Sequence, residues 1–256
     1  MKKLTFPALE DVLVSNSGCS EFAHDEVCRR FNELLSLEVT NTDRFLEALR
    51  HYKAVLSGRF VLSMLDPMQR EGFHSITVFV AHEEFDNFVE FMEEYEEGSV
   101  ERELDEICGL HADGFTKAVY MVCARDTFHI IQSASSSPLF PIPYFYSTHL
   151  MNYVAHDRIC VGYPRFTFLR QGLEVFSTPF ATSFTVKSRN MMFPFAEGCS
   201  PHLACGACAR TFQDEFACTM DLDTMLPGDY GHLLWKLGGA VCCPTCKSTH
   251  RFVATS

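Results

Sequence analysis

Two C-x-x-C pairs near the end of the chain constrain its fold more than any other local feature. They are Cys205-Gly-Ala-Cys208 and Cys243-Pro-Thr-Cys246. Each pair can form a tight turn that presents two thiolates to one side, and two such turns complete a tetrahedral shell around Zn²⁺. Thiolates are soft ligands, which favours zinc over magnesium or calcium. The spacing predicts a small zinc-stapled module, whose metal is structural because four protein ligands leave no open position.

Two further interpretations of these cysteines stay open. The 34 residues between the pairs exceed the usual spacing of a zinc ribbon, which indicates an insertion. The cysteines could instead be reduced thiols without a metal, or a redox pair, although neither pair opens a helix after a strand in a βαβ pattern. Five other side chains could replace one of the four predicted ligands: Cys199, Cys218, Cys242, His202 and His250.

The distribution of cysteines also bears on the compartment. Seven of the twelve lie in the last 58 residues, which in an exported protein would indicate disulfides. Pro7, Glu10 and Asp11 interrupt any apolar core that a signal peptide needs. We therefore expect an intracellular protein, cytoplasmic or nuclear, whose clustered cysteines hold a metal. No apolar run approaches the roughly 20 residues of a membrane span, so we expect no membrane partner.

The remaining sequence alternates between helical and strand patterns. Apolar residues at helical spacing predict helices over residues 25–35, 42–56 and 60–65, and Ser147 or Thr148 can cap a further helix that ends near Ala155. Runs of β-branched and aromatic residues predict strands. These strands cover residues 75–80, a hairpin of 116–124 with 127–133, and a short segment over 159–162.

This order of elements predicts an α+β or α/β protein with two parts. Residues 1–195 form the mixed body, and residues 196–256 form the cysteine-rich module packed on it. Hydrophobic residues make up 47% of the 256 residues, which is typical of a folded globular chain.

The net charge of −12 is concentrated in one window. Residues 83–106 contain twelve carboxylates and one base, Arg102, whereas the rest of the chain has 20 bases and 21 acids. A nearly neutral body lacks the basic surface that general nucleic-acid binding needs. Apolar residues between Phe85 and Tyr95 predict a helix whose outer face carries the acids. We interpret this face as solvated; the alternative is a docking surface for a basic protein partner.

Familiar catalytic motifs are absent from the sequence. There is no G-x-x-x-x-G-K-[ST], G-x-G-x-x-G, H-E-x-x-H or G-x-S-x-G. Asp221-Leu-Asp223 could hold Mg²⁺ through its two carboxylates. However, it lies between the two cysteine pairs, and we interpret it as surface acids.

Several segments together are similar to a known family. Their order along the chain resembles that of the uncharacterised nucleotidyltransferase-like proteins abundant in mushroom-forming fungi. The resemblance covers most of residues 45–250. Its motifs are YKAVLSG (52–58), SITVFV (75–80), IIQS (130–133), STHLMN (147–152), GYPRFT (162–167), CARTFQD (208–214) and WKLGG (235–239).

The resemblance implies a nucleotidyltransferase-like mixed sheet flanked by helices. In such folds a Gly-Ser at a helix packs against the nucleotide phosphates, and three Asp residues on two strands bind two Mg²⁺ ions. Here Ser57-Gly58-Arg59 stands where the family has Ser-Gly-Ser. At the three Asp positions stand Ser75, Thr77 and His129.

These departures predict a binding protein without two-metal catalysis. Two hydroxyls and an imidazole cannot replace three carboxylates as ligands of Mg²⁺, so we expect no magnesium. Ser57, Gly58 and Arg59 could still meet a phosphate, which leaves a nucleotide or a protein as the ligand. One alternative is an active nucleotidyltransferase with displaced carboxylates, for which Asp66, Asp126 and Asp221 are candidates. Another is a zinc-ribbon interaction protein whose body only supports the ribbon.

Overall fold

The computed structural model describes residues 21–66, 75–104, 114–145, 147–172, 209–222, 227–237 and 253–255. Its helices are α1 (Glu21–Glu38), α2 (Thr42–His51), α3 (Arg59–Leu65), α4 (Phe85–Tyr95) and α5 (Pro164–Phe168). Its strands are β1 (Ala54–Ser57), β2 (Ile76–Val80), β3 (Ser99–Leu104), β4 (Phe115–Val122), β5 (Thr127–Ser133), β6 (Asn152–Val154), β7 (Arg158–Val161), β8 (Cys218–Asp221), β9 (Leu234–Lys236) and β10 (Val253–Thr255).

Eight of the strands form one mixed sheet in the order β3-β4-β5-β2-β1-β6-β7-β8. Strands β2 and β5 pair in parallel, and the other six neighbouring pairs are antiparallel. The prediction of a mixed α and β architecture is therefore confirmed. Among the residues described above, no helix combines the length and apolarity that a membrane span requires.

A hydrophobic core lies on each face of this sheet because side chains alternate between the two faces of a strand. On the first face, helices α1 to α4 pack on residues such as Leu56, Val78 and Ile130. On the second face, residues 139–145 and the described C-terminal residues pack on Val55, Phe79 and Ile131 through side chains that include Leu139, Ile142, Phe212 and Trp235.

Helix α4 shows why an acidic sequence forms a stable amphipathic helix. Phe85, Phe88, Phe91 and Met92 are buried against the first core. The acidic residues between them lie on the opposite side, and Asp86, Glu90, Glu93 and Glu94 are exposed. The predicted helix with an acidic outer face is confirmed, as is the predicted β4–β5 hairpin.

Two helix predictions were wrong in part. The helix predicted over residues 42–56 ends at His51, and Ala54–Ser57 forms β1, whose four residues are all buried. The helix predicted from Ser147 is a single 3-10 turn, Thr148–Leu150, followed by β6. Both strands lie in the middle of the sheet and are buried on both faces. Periodicity cannot distinguish such short apolar runs from helix, and the pairing partners decide the outcome.

The described C-terminal residues add one strand to the main sheet and form a second sheet of two strands. Strand β8 pairs with β7 along four residues. Behind it, Arg210 and Trp235 exchange backbone hydrogen bonds of 2.8 and 3.0 Å, and β9 pairs with β10. The predicted division at residue 195 lies outside the described residues and stays a prediction.

Candidate functional site

One level of the sheet carries a row of polar side chains on its second face. Ser57, Thr77, His129 and Tyr120 are successive register partners across strands β1, β2, β5 and β4. Three of these residues are positions that the resemblance singles out. They are far apart in sequence, and strand pairing brings them side by side. We call these four residues the polar row.

The polar row marks the edge of the second core. At the next level of the sheet, Val55, Phe79, Ile131 and Ala118 are buried beneath the covering segments. In the polar row, by contrast, the side chains of Thr77, His129 and Tyr120 are half-buried. Among the described residues, the covering layer therefore thins at this level, where Ser57 is still fully buried and the other three members of the row are half-buried.

His129 and Tyr120 form a stacked pair within the row. Their ring centroids lie 4.2 Å apart, and the ring planes are inclined by 9°. The two rings stand on neighbouring antiparallel strands, where side chains of register partners come close. On the other side of β5, the register partner of His129 is Thr77 on β2.

Ser75 lies just before β2 and is half-buried. Because side chains alternate in an extended chain, Ser75 is on the same face as Thr77. The structure thus brings Thr77 and His129 together with Ser57, and it places Ser75 directly before the same strand, two residues from Thr77.

The turn between β1 and α3 lies beside the row. Gly58 has a φ of +70°, a conformation that disfavours residues with a side chain. A Cβ atom there would lie 3.5 Å from both the Phe145 ring and Thr77 Oγ1, which is ordinary contact. Glycine is therefore required for the backbone conformation rather than for space. Arg59, the first residue of α3, is exposed beside this turn.

Ser57 supports the turn from inside the protein. It is fully buried, and its hydroxyl donates a hydrogen bond of 2.6 Å to the carbonyl oxygen of Asn152 on β6. The Asn152 side chain in turn donates to the carbonyl oxygen of His149 at 2.7 Å. The hydroxyl of Ser57 is thus committed to the scaffold, and Arg59 is the member of the predicted phosphate-binding set with an exposed side chain.

A buried serine–histidine pair lies next to this support, and sequence reasoning did not assign it a role. Ser147 Oγ and His149 Nδ1 lie 2.7 Å apart, and both residues are buried. Burial, together with the charge of Arg59, lowers the pKa of His149 to about 3. The imidazole is therefore neutral near pH 7. The STHLMN motif, noted for the resemblance, is the signal that could have found this pair.

The three candidate carboxylates of the active-enzyme alternative lie in three different places. Asp66 is buried at the end of α3 and accepts a hydrogen bond of 2.9 Å from Arg170. Asp126 lies in the β4–β5 turn and accepts from the backbone of Thr127. Asp221 is exposed on β8, at the far edge of the sheet. Within the described ranges, no three His, Cys, Asp or Glu side chains form a group that could hold a metal.

The predicted zinc ligands Cys205, Cys208, Cys243 and Cys246 lie outside the described residues. The same is true of four of the possible replacements, namely Cys199, Cys242, His202 and His250. The fifth, Cys218, is the first residue of β8 and is partly buried.

One acid of the predicted acidic surface has a structural role. Glu96 is buried, and its carboxylate accepts a hydrogen bond of 2.7 Å from the backbone N–H of Thr40. On β4, Lys117 Nζ lies 3.6 Å from Asp86 Oδ1 and 2.5 Å from Glu103 Oε1, so this side chain forms ion pairs with both α4 and β3. The solvated interpretation therefore holds for the exposed acids of α4, but not for Glu96.

Comparisons with protein-family models, with curated proteins and with solved structures found no match to this chain. The family resemblance and the function that it implies therefore rest on the residues themselves.

Proposed function

We propose that the protein binds a small anionic ligand, of which a nucleotide is one example, beside the Gly58 turn and does not catalyse metal-dependent transfer. The observation that carries this proposal is the register of Ser57, Thr77 and His129 on three neighbouring strands. The resemblance selected these positions by sequence alone, and a common site requires them to be adjacent in space.

The chemistry of the row supports binding rather than catalysis. Mg²⁺ in proteins is held through one or two carboxylates, and the row offers hydroxyls, an imidazole and a phenol. One candidate carboxylate, Asp66, is paired with Arg170. Arg59 supplies an exposed positive charge for an anion.

A calorimetric titration with inorganic tripolyphosphate tests this proposal. Tripolyphosphate should bind, and Arg59→Gln should weaken binding by about tenfold or more, because a charge-assisted hydrogen bond is lost. Arg125→Gln is the matched control, since Arg125 is an exposed arginine that donates to Ser36 O on α1. If tripolyphosphate does not bind, or if both variants bind it like the native protein, the proposed site is wrong.

We also propose a structural zinc held by Cys205, Cys208, Cys243 and Cys246. The chain directions around the described C-terminal residues support it. The backbones of Arg210 and Trp235 pair as an isolated antiparallel β-bridge. Because the two segments run in opposite directions, the chain that leads into Arg210 and the chain that follows Trp235 lie at the same end of this bridge. Strand β10 pairs antiparallel with β9, so the chain enters β10 at that end too. These are the three chain ends that lead to the two C-x-x-C pairs.

A basic protein partner on the acidic surface, residues 83–106, is the second candidate ligand. Asp86, Glu90, Glu93 and Glu94 are exposed on one side of α4, which favours a cationic surface opposite them. A lysine-rich peptide should bind in low salt and should lose affinity when Glu90, Glu93 and Glu94 become Gln. Binding that is unchanged in this variant would exclude α4 as the contact surface.

A further inference from the structure

We propose that the outer edge of strand β3 binds an extended, basic segment of a partner protein, which joins the main sheet as a further strand. This inference rests on the second candidate ligand proposed above, a basic protein partner of the acidic surface. It specifies where on that surface the partner binds and which conformation it adopts.

Strand β3 (Ser99–Leu104) is an exposed edge of the eight-stranded sheet. Among the described strands, it has β4 as its one neighbour. Five of its six residues are exposed, and the apolar side chain of Val100 is 42% exposed. A strand that is paired on one side presents backbone N–H and C=O groups on its other side, where an added strand can form hydrogen bonds.

The charges of β3 differ between the two faces of the sheet. On the first face, Glu103 and Asp86 of α4 share one cation, Lys117, so β3 and α4 together present an excess of negative charge along one border. On the second face lies Arg102, the register partner of Tyr120. An added strand would therefore meet carboxylates on one face and a guanidinium group on the other.

These charges disfavour a second copy of β3 as the occupant. Symmetric antiparallel pairing centred on Arg102 would set Glu101 of one copy opposite Glu103 of the other, and pairing centred on either glutamate would set that residue opposite itself. Like charges that lie directly opposite each other destabilise a sheet. Glu101 is also the extra residue of a β-bulge between Val100 and Arg102. Charges and bulges both protect exposed edges from self-association, and here the charge favours a cationic strand instead.

Strand geometry predicts the residue pattern of the partner segment. Side chains of an added strand alternate between the two faces of the sheet. Those on the first face would meet Glu103 and the acids of α4, so lysine or arginine is favoured there. Those on the second face would meet Arg102, so uncharged residues are favoured there. The expected ligand is a segment in which basic residues alternate with β-branched ones, because β-branched residues favour strands.

A fluorescence-anisotropy titration in low salt tests the position of the site. The probe is the labelled peptide acetyl-Lys-Val-Lys-Thr-Lys-Val-Lys-amide, which should bind the native protein. The double variant Glu101→Gln/Glu103→Gln should weaken binding about threefold or more, the order expected for the loss of two exposed ion pairs. The matched control is Glu93→Gln/Glu94→Gln, which removes the same charge from the exposed side of α4 and should weaken binding less. If the α4 control weakens binding as much as the β3 variant does, or more, the edge site is overturned while the acidic-surface proposal stands.

A second peptide tests strand addition itself. The same sequence, N-methylated at its internal amides, keeps its charge but cannot donate backbone hydrogen bonds to the edge. It should bind about tenfold more weakly, as expected for the loss of several backbone hydrogen bonds. Equal affinity of the two peptides would overturn strand addition and leave a purely electrostatic contact.

Amide hydrogen exchange of the native protein makes the test independent of variant folding. The unmethylated peptide should slow exchange of backbone amides in Ser99–Leu104 and leave α4 unchanged. Unchanged exchange along β3 at a saturating peptide concentration would overturn the inference. If neither peptide binds in low salt, both this inference and the acidic-surface proposal are overturned.

Discussion

Replacement of Asp214 by Asn should destabilise the folded protein by about 3–5 kcal/mol, the usual cost of breaking a buried ion pair. Asp214 is the partner of Arg210, whose side chain is fully buried. Its carboxylate accepts hydrogen bonds of 2.6 and 3.1 Å from Arg210, and it also accepts from the backbone N–H groups of Thr211, Phe216 and Ala217.

The size of the expected effect follows from what remains after the substitution. Arg210 keeps its charge, and the carbonyl oxygen of Gly162, which accepts from it at 2.7 Å, cannot neutralise that charge. The guanidinium lies 4.4 Å from the Tyr163 ring and 5.9 Å from the Trp235 ring, so water cannot approach without opening this cluster. An Asn side chain preserves shape but removes the negative charge, and its NH₂ group replaces one oxygen that accepts from N–H donors, so the expected loss includes hydrogen bonds as well as charge.

Urea unfolding monitored by the fluorescence of Trp235 is a suitable assay, because this buried residue is the single tryptophan of the chain. Asp229→Asn is the matched control: Asp229 is exposed and accepts from the backbone of Gly231, and its loss should change stability by about 0.5 kcal/mol or less. A change below about 1 kcal/mol for Asp214→Asn would refute the reasoning, since it would show that the pair is not essential to this cluster.

The Asp214 carboxylate should also make the stability of the folded protein depend on pH. Burial alone would raise the pKa of Asp214, but hydrogen bonds from Arg210 and from the backbone outweigh it and hold the pKa below the usual value. Asp157, which binds Arg158 and the backbone of Gly228, also has a lowered pKa despite burial. A lowered carboxyl pKa stabilises the fold above the unfolded-state value, near 3.8. The contribution is lost as pH falls through the folded-state value, so Trp235 emission should change in strong acid and stay constant near neutrality.

Three further predictions concern other parts of the chain. Glu96→Gln should lower the free energy of unfolding by about 1–3 kcal/mol, because the carboxylate accepts a hydrogen bond from the Thr40 N–H, whereas Glu93→Gln should leave it unchanged. Equal thermal midpoints for the two variants would contradict the structural role of Glu96. Purified protein should contain about one zinc per chain by elemental analysis, and Cys243→Ser should lose it; metal-free protein of unchanged stability would contradict the zinc proposal. Deletion of residues 196–256 should unfold the body because it removes β8 and Trp235 from the sheet and the second core, and a cooperative thermal transition of the truncated chain would contradict this.

The sequence was most informative where the pattern of residue types is distinct, as in helix α4 and in the β-branched runs of β2 and β7. Helix α4 was predicted because its apolar residues recur with the helical period, and the β4–β5 hairpin was predicted from two β-branched, apolar runs on either side of Arg125-Asp126. Strands β1 and β6 were missed because they are buried on both faces and carry no period. Their identity as strands depends on neighbours that lie far away in sequence, such as Val154 opposite Leu56.

For the candidate site, the sequence indicated individual residues but not which of them are neighbours in space. Thr77 and His129 were singled out by resemblance, and their adjacency follows from the parallel pairing of β2 and β5. The involvement of Tyr120 and Phe145 could not be predicted, since nothing local distinguishes them from core aromatics. The hydrogen bond from Ser57 to Asn152 also needed the structure, and it changes the expected role of the serine from ligand contact to support.

The most direct test of metal-independent ligand binding is a calorimetric titration of the native protein with ATP, performed once in EDTA and once in Mg²⁺. Ligand binding through Arg59 and the polar row, without metal ions, predicts saturable binding with the same affinity in both buffers and no continuing heat of reaction. Binding that occurs only with Mg²⁺, or a sustained heat that reports turnover, would contradict a non-catalytic site.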